Sequence, residues 1–119
     1  MVDDETQITD ILKTFLLKNG FEVIDTDRGD TAMEIIRGGE VIDAMVLDMK
    51  MPHFPGIEVI KCLKNSGRVL PVVILSGALG LEKGIEELRE LGYSENDILY
   101  KPVDLFELLA KIKNKINQR

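Results

Sequence analysis

The feature that most constrains the fold is a regular alternation of amphipathic helical stretches with short apolar runs. The helical stretches carry apolar residues three and four positions apart, which is the spacing of one buried helix face. These residues are Ile8, Ile11, Leu12, Phe15 and Leu16; Ile57, Ile60 and Leu63; Ile85, Leu88 and Leu91; and Leu105, Leu108, Leu109, Ile112 and Ile116. The runs at 21–25, 43–47, 70–77 and 97–100 are rich in apolar and β-branched residues and predict strands. Such an alternation predicts an α/β fold with a doubly wound parallel sheet.

Several helix boundaries are also marked in the sequence. Gly20 follows the first amphipathic stretch and is expected to end that helix. Thr31, with Glu34 three residues later, has the pattern of a capping box at the start of a short second helix. Asp104 precedes the last apolar stretch and is predicted to be its N-cap.

Length and composition restrict the class of protein. The 119 residues are enough for one domain, spanning 1–119, and too few for two. The net charge of −6 argues against nucleic-acid binding, which needs a basic surface. The single Cys62 excludes an internal disulfide and a cysteine-rich metal site. With no signal peptide pattern and no apolar stretch near ~18 residues, the expected location is the cytoplasm, without membrane contact.

Polar residues follow the predicted strands at the point where each strand ends. In an open α/β sheet, ligands bind at the carboxyl ends of the strands, so these side chains should converge on one edge. Crowded carboxylates repel one another, and a hard divalent cation such as Mg²⁺ relieves that repulsion. A carboxylate there can also accept a phosphoryl group as a nucleophile. The residues are Asp3, Asp4, Glu5, Asp48, Ser76 and Lys101.

Each of these residues has an ordinary role when it is considered alone. Asp3 could cap the first helix, Asp48 and Ser76 could form turns, and Lys101 could be a solvated lysine. Their joint occurrence at the predicted sheet edge favours a functional site. His53, the only histidine, lies in a loop flanked by prolines and is expected at the surface.

The motifs at these strand ends resemble the receiver domain of two-component response regulators. They are "VDDE" at 2–5, "LDMKMPHFPG" at 47–56, "VVILSG" at 72–77 and "YKPV" at 100–103, and the resemblance covers essentially the whole chain. It implies a flavodoxin-like, five-stranded parallel sheet of order 2-1-3-4-5, as in single-domain, chemotaxis-regulator-like proteins. It also implies Mg²⁺-dependent phosphotransfer to Asp48 from a histidine kinase or histidine phosphotransfer protein.

The resemblance assigns the metal-binding residues. Asp4 would be a direct Mg²⁺ ligand, and Asp3 would act on the metal chiefly through water. The carboxylate of Asp48 and the backbone carbonyl of Lys50 would complete the protein ligands.

The resemblance also assigns the residues around the phosphoryl group. Ser76 and Lys101 would contact it, and the Lys101–Pro102 peptide bond would be cis. Such a domain is a signalling phosphoacceptor rather than an enzyme, although it assists its own phosphorylation and dephosphorylation. A phosphorylation-dependent conformational change would then be read by a downstream protein target of unknown identity.

One departure concerns the aromatic residue that many family members carry three positions before the lysine. That position is Ile98 here, and the aromatic residue, Tyr100, directly precedes Lys101. Adjacent strand residues point to opposite faces of a sheet, so Tyr100 is not expected to take over the role of the usual ring.

Two rival functions use similar residues. A haloacid-dehalogenase-type phosphatase needs a second acid two positions after its aspartyl nucleophile, and Lys50 occupies that position. A pseudo-receiver, an interaction module that is never phosphorylated, would tolerate loss of the acidic, hydroxyl and lysine residues, all of which are present. The pseudo-receiver remains the alternative.

The first strand is unusually short. Only Met1 and Val2 precede Asp3, and two to four residues give ~7 to 13 Å of strand against ~17 to 20 Å for a typical one. We predict a stub strand over Met1 to Asp3, and either reduced stability or a homo-oligomer that covers the gap beside it. The preferred explanation is a strand-forming stretch encoded upstream of Met1.

Overall fold

The computed structural model describes residues 6–24, 26, 28–39, 41–49, 56–77 and 85–117. Within these ranges, five α-helices alternate with three strands. The helices are α1 (Thr6–Lys18), α2 (Gly29–Arg37), α3 (Gly56–Ser66), α4 (Ile85–Glu90) and α5 (Leu105–Asn117). The strands are β1 (Met45–Asp48), β2 (Val72–Ser76) and β3 (Ile98–Tyr100), and a short 3₁₀ turn (Glu95–Asp97) precedes β3.

The three strands form a parallel sheet in the order β1-β2-β3. Met45 pairs with Val72 at the start of the first ladder, and Ser76 pairs with Tyr100 at the end of the second. This arrangement confirms the predicted α/β fold with a parallel sheet. Three of the five predicted strands are thus seen within the described residues.

The other two predicted strands are not seen as strands. The predicted stub at 1–3 lies outside the described residues. Residues 21–24 carry no strand assignment, although Thr26 forms an isolated bridge. The observed order β1-β2-β3 corresponds to strands 3-4-5 of the predicted order 2-1-3-4-5.

Two hydrophobic cores lie on opposite faces of the sheet, because alternate strand residues point to opposite sides. Met45 and Leu47 of β1 pack in the core formed with α2 and α3. Val46 packs in the other core, with α1 and α5. Every residue of β1 and β2 is buried, as expected for parallel strands covered on both faces.

The helix ends test the predictions made from single residues. At the end of α1, Gly20 has a φ of 90°, and the Phe21 N–H donates to the Leu16 carbonyl at 3.1 Å. This is the hydrogen bond of a Schellman motif, so the predicted stop at Gly20 is confirmed. Asp104 Oδ1 accepts the N–H groups of Phe106 and Glu107 at 2.9 and 3.1 Å, which confirms it as the N-cap of α5.

The predicted capping box at Thr31 is wrong. Helix α2 begins at Gly29, and its N-cap is Arg28, whose side chain makes no capping hydrogen bond. Asp30 lies in the first turn, where Oδ1 accepts the Thr31 N–H at 2.9 Å and the carboxylate pairs with Arg28. Asp30, rather than Thr31, therefore stabilises the start of α2.

None of the helices in the described ranges is long and apolar enough to cross a membrane.

Candidate functional site

Three of the polar residues predicted at the sheet edge lie together in the structure. Asp48 is the last residue of β1, Ser76 is the last residue of β2, and Lys101 directly follows β3. Because the strands are parallel, their carboxyl ends meet at one edge. Two backbone hydrogen bonds continue the ladders past these ends: Met49 N–H to Leu75 O at 3.0 Å, and Lys101 N–H to Ser76 O at 2.8 Å.

Asp48 and Lys101 form an ion pair across the sheet edge. The Lys101 Nζ donates to Asp48 Oδ2 at 2.6 Å. The Asp48 side chain is fully buried, whereas that of Lys101 is 21% exposed. A buried carboxylate that loses its partner charge destabilises a fold by ~3–5 kcal/mol. The lysine therefore stabilises a charge that the fold has removed from water.

Ser76 is buried at the same edge, with 1% of its surface exposed. It follows four buried apolar residues of β2, so the hydroxyl is the first polar side-chain group that this strand presents. The Ser76 carbonyl accepts the Lys101 N–H, which fixes the backbone of the two residues relative to each other. The structure thus brings the hydroxyl, the carboxylate and the ammonium to one edge.

Gly56, the first residue of α3, packs against the backbone that carries Asp48. A Cβ atom added to Gly56 would lie 2.9 Å from the Asp48 carbonyl oxygen and 2.9 Å from the Met49 Cα. No side chain fits at that separation, so the position requires glycine. Sequence reasoning did not single out Gly56 as part of the site.

The remaining predicted metal ligands, Asp3, Asp4 and Lys50, lie outside the described residues. Within the part of the chain that the structure describes, no group of three or more His, Cys, Asp or Glu residues is arranged to hold a metal. The carboxylate that the described residues place at this edge is that of Asp48. Its chemistry fits a hard, oxygen-preferring cation such as Mg²⁺, which takes few protein carboxylates.

The aromatic residue next to the lysine points away from the site. Tyr100 is 38% exposed, and its hydroxyl donates to Glu95 Oε2 at 2.7 Å. Glu95 also lies 3.6 Å from an Arg89 nitrogen of α4. Ile98, at the position where many receivers carry the aromatic ring, is buried. The Tyr100 ring therefore lies at the surface, with Glu95 as the hydrogen-bond partner of its hydroxyl.

Comparisons with known proteins identify the family of this chain. The sequence model of the family described as response regulator receiver domain matches residues 1–113. The cell cycle response regulator CtrA of Brucella ovis is 31% identical over 114 residues, which cover 94% of this chain and 47% of that protein. The chain thus spans about half the length of this curated relative.

Solved structures give the same result. The receiver domain of the Francisella response regulator 1452 has a TM-score of 0.83 and is 29% identical, with coverage of 98% of this chain and 93% of that one. A response regulator receiver domain protein from Clostridium thermocellum has a TM-score of 0.83 at 30% identity, covering 98% and 91%. These neighbours have the flavodoxin-like fold that the sequence predicts. The chain belongs to the family of response regulator receiver domains of two-component systems.

Proposed function

We propose that this domain accepts a phosphoryl group on Asp48 and signals by the conformational change that follows. The observation that carries the proposal is the fully buried Asp48 carboxylate, with the Lys101 Nζ at 2.6 Å and Ser76 at the end of the neighbouring strand. A structural salt bridge does not need a hydroxyl beside it at the carboxyl edge of a parallel sheet. A phosphoryl group does, because its oxygens need hydrogen-bond donors as well as positive charge.

The proposed reaction transfers a phosphoryl group from a histidine nitrogen to a carboxylate oxygen. A carboxylate oxygen of Asp48 forms a bond to phosphorus, and the phosphorus–nitrogen bond of a phosphohistidine breaks. The electron pair of that bond stays on the imidazole nitrogen, and the product on this chain is an acyl phosphate. Lys101 would offset the added negative charge, and the Ser76 hydroxyl would donate to a phosphoryl oxygen.

A divalent cation belongs to this proposal. Asp48, with Asp3, Asp4 and the carbonyl of Lys50, would hold Mg²⁺, which would neutralise charge on the phosphoryl oxygens. The donor set consists of carboxylate and carbonyl oxygens, which is the set that Mg²⁺ prefers.

The proposed phosphodonor is a histidine kinase or a histidine phosphotransfer protein. The histidine would come from such a partner, since the chain has a single histidine, His53, in a segment flanked by prolines that is unlike the helix of a kinase phosphodonor. The proposed receiver of the signal is a downstream protein that binds the phosphorylated form. Assignment of either partner needs a phosphorylation screen with a panel of histidine kinases.

Labelling with acetyl phosphate and Mg²⁺ tests the nucleophile. Asp48→Asn should no longer gain the mass of one phosphoryl group under acidic conditions. The fold should stay intact, because the amide is nearly isosteric with the carboxylate. Asp43→Asn, an exposed aspartate five residues earlier, is the matched control and should be labelled as the parent is. Retained labelling of Asp48→Asn at another residue would contradict the assignment. Failure of the parent to bind beryllofluoride with Mg²⁺ would favour the pseudo-receiver alternative.

A further inference from the structure

The carboxylate of Glu95 joins the end of β3 to helix α4. Its Oε2 accepts a hydrogen bond from the Tyr100 hydroxyl at 2.7 Å, and its Oε1 lies 3.6 Å from Nη2 of Arg89. Arg89 lies in the last turn of α4, where its Nη1 also donates to Glu86 Oε1 at 2.9 Å. One carboxylate therefore contacts a strand on one side and a helix on the other. We call the three side chains Tyr100, Glu95 and Arg89 the Glu95 link.

The 3₁₀ turn that carries Glu95 is held in place by two sets of contacts. Within the turn, the Ser94 N–H donates to Asp97 Oδ2 at 2.8 Å, and the Asp97 N–H donates to Ser94 O at 2.9 Å. From α5, Lys115 forms an ion pair with Asp97, and Lys111 Nζ donates to a backbone carbonyl of the turn at 2.9 Å. The backbone at Glu95 is therefore fixed relative to α5.

Helix α4 is anchored more weakly than the turn. It has six residues, and among residues 86–90 Leu88 is the one whose side chain is buried. Glu87 pairs with Lys61 of α3 at 3.1 Å, and both of these side chains are exposed to water. Exposed ion pairs contribute little to stability, because water and salt screen them. The position of α4 can therefore respond to a change in the contact that Arg89 makes with Glu95.

The other end of the Glu95 link adjoins the proposed phosphorylation site. Tyr100 directly precedes Lys101, whose Nζ lies 2.6 Å from Asp48 Oδ2. The Lys101 N–H donates to Ser76 O at 2.8 Å, and Ser76 pairs with Tyr100 in the parallel ladder. A phosphoryl group on Asp48 would draw the Lys101 ammonium toward the added charge. Because Tyr100 is the adjacent strand residue, a shift in the backbone of Lys101 also shifts Tyr100.

We propose that the Glu95 link carries the signal of phosphorylation from Lys101 to α4. This inference rests on the proposed function, and it gives the chain a route that needs no aromatic ring at the position of Ile98. A shift of Tyr100 moves its hydroxyl relative to Glu95, whose backbone is fixed. The Glu95 carboxylate then changes its contact with Arg89, and α4 moves in response.

The test compares two amides of the ¹⁵N-labelled chain before and after addition of beryllofluoride and Mg²⁺. The Ser76 amide reports on the site, and the Leu88 amide reports on α4. Both chemical shifts should change in the parent. In Tyr100→Phe, which keeps the ring and removes the hydroxyl, the Ser76 response should be retained and the Leu88 response should fall by about fivefold.

Tyr93→Phe is the matched control for this variant, because the chain has two tyrosines. Tyr93 lies outside the Glu95 link, with Lys64 Nζ 4.9 Å from the centre of its ring. Removal of its hydroxyl should leave the responses of Ser76 and Leu88 as they are in the parent.

Glu95→Gln tests the contribution of charge. The amide oxygen can still accept the Tyr100 hydrogen bond, but the side chain no longer attracts Arg89 as an anion. The Leu88 response should therefore fall as it does in Tyr100→Phe, while the Ser76 response is retained. Glu90→Gln is the matched control, because Glu90 is an exposed glutamate of α4 outside the Glu95 link, and it should respond as the parent does.

The outcomes separate this inference from the proposed function. An unchanged Leu88 response in Tyr100→Phe or Glu95→Gln, with the Ser76 response intact, would overturn the inference and leave the proposed function standing. Loss of the Ser76 response in these variants would show that the residues support the site itself, and this would also overturn the inference. A parent in which neither amide responds would overturn the proposed function together with the inference.

Discussion

Replacing Lys101 by alanine is expected to destabilise the fold, because it leaves the buried Asp48 carboxylate without the ammonium that neutralises it. Removal of one partner of a fully buried ion pair is unfavourable by ~3–5 kcal/mol. The Asp48 side chain is fully buried, but that of Lys101 is 21% exposed, so water can enter where the lysine lay. We therefore expect a smaller loss, about 2 kcal/mol in the free energy of unfolding.

The measurement is urea denaturation in EDTA, arranged as a double-mutant cycle. With a typical urea slope of ~1–3 kcal/mol/M, Lys101→Ala should lower the midpoint by about 1 M. In the Asp48→Asn background the same change should have an effect below ~0.5 kcal/mol, since no buried charge remains to be neutralised. An equal loss in both backgrounds would refute the reasoning and assign the effect to packing of the lysine stem.

The same variant has a signalling readout. Lys101→Ala should still be phosphorylated to some extent, but phosphorylation should no longer change the end of β2, because in the proposed mechanism the lysine is the group that responds to the phosphoryl charge. The assay is the chemical-shift response of the Ser76 amide to beryllofluoride and Mg²⁺. A response equal to that of the parent would contradict this role.

Three other changes have defined outcomes. Gly56→Ala should lower the free energy of unfolding by ~1–3 kcal/mol and slow labelling by acetyl phosphate, because its Cβ would meet the Asp48 carbonyl oxygen at 2.9 Å; unchanged stability and labelling would contradict the close packing. Burial acts to raise the pKa of Asp97, but hydrogen bonds from Lys115 and a backbone N–H outweigh it, so the pKa is lowered from 3.8. Its contribution to stability is therefore present above about pH 3.8 and lost as the pH falls through the lower folded-state pKa; urea midpoints measured against pH should fall less in Asp97→Asn than in the parent. Adding Lys-Ile-Leu-Ile before Val2 should raise the melting temperature by several degrees, since a longer apolar first strand can make more backbone hydrogen bonds within the sheet; no gain in a stable, monomeric parent would contradict this reasoning.

Sequence reasoning succeeded where the signal is local or where strand ends must meet. Apolar runs located β1, β2 and β3 because buried parallel strands exclude polar side chains. Gly20 and Asp104 were identified correctly because a left-handed turn and an N-cap each depend on a single residue type. The meeting of Asp48 and Lys101 followed from topology, since parallel strands place their carboxyl ends together.

Sequence reasoning failed where two neighbouring residues could both start a helix, and where a contact depends on the path of the backbone. Thr31 and Asp30 both suit a helix start, and the pairing of Asp30 with Arg28 that favours an earlier start is not encoded in a motif. The strand predicted over 21–25 stays a prediction, because residue 25 and its predicted neighbour at 1–3 lie outside the described residues. The close approach of Gly56 depends on where the α3 backbone passes, which residue types alone do not specify.

The ion pair at the sheet edge joins residues 53 positions apart in the chain. During synthesis, Asp48 leaves the ribosome well before Lys101, and β3 must be made and docked before the two can meet. A nascent or truncated chain that ends before β3 carries the aspartate without its lysine partner. The order of translation therefore keeps the site incomplete until nearly the whole domain has folded, so that no partly made chain can present the paired carboxylate and ammonium.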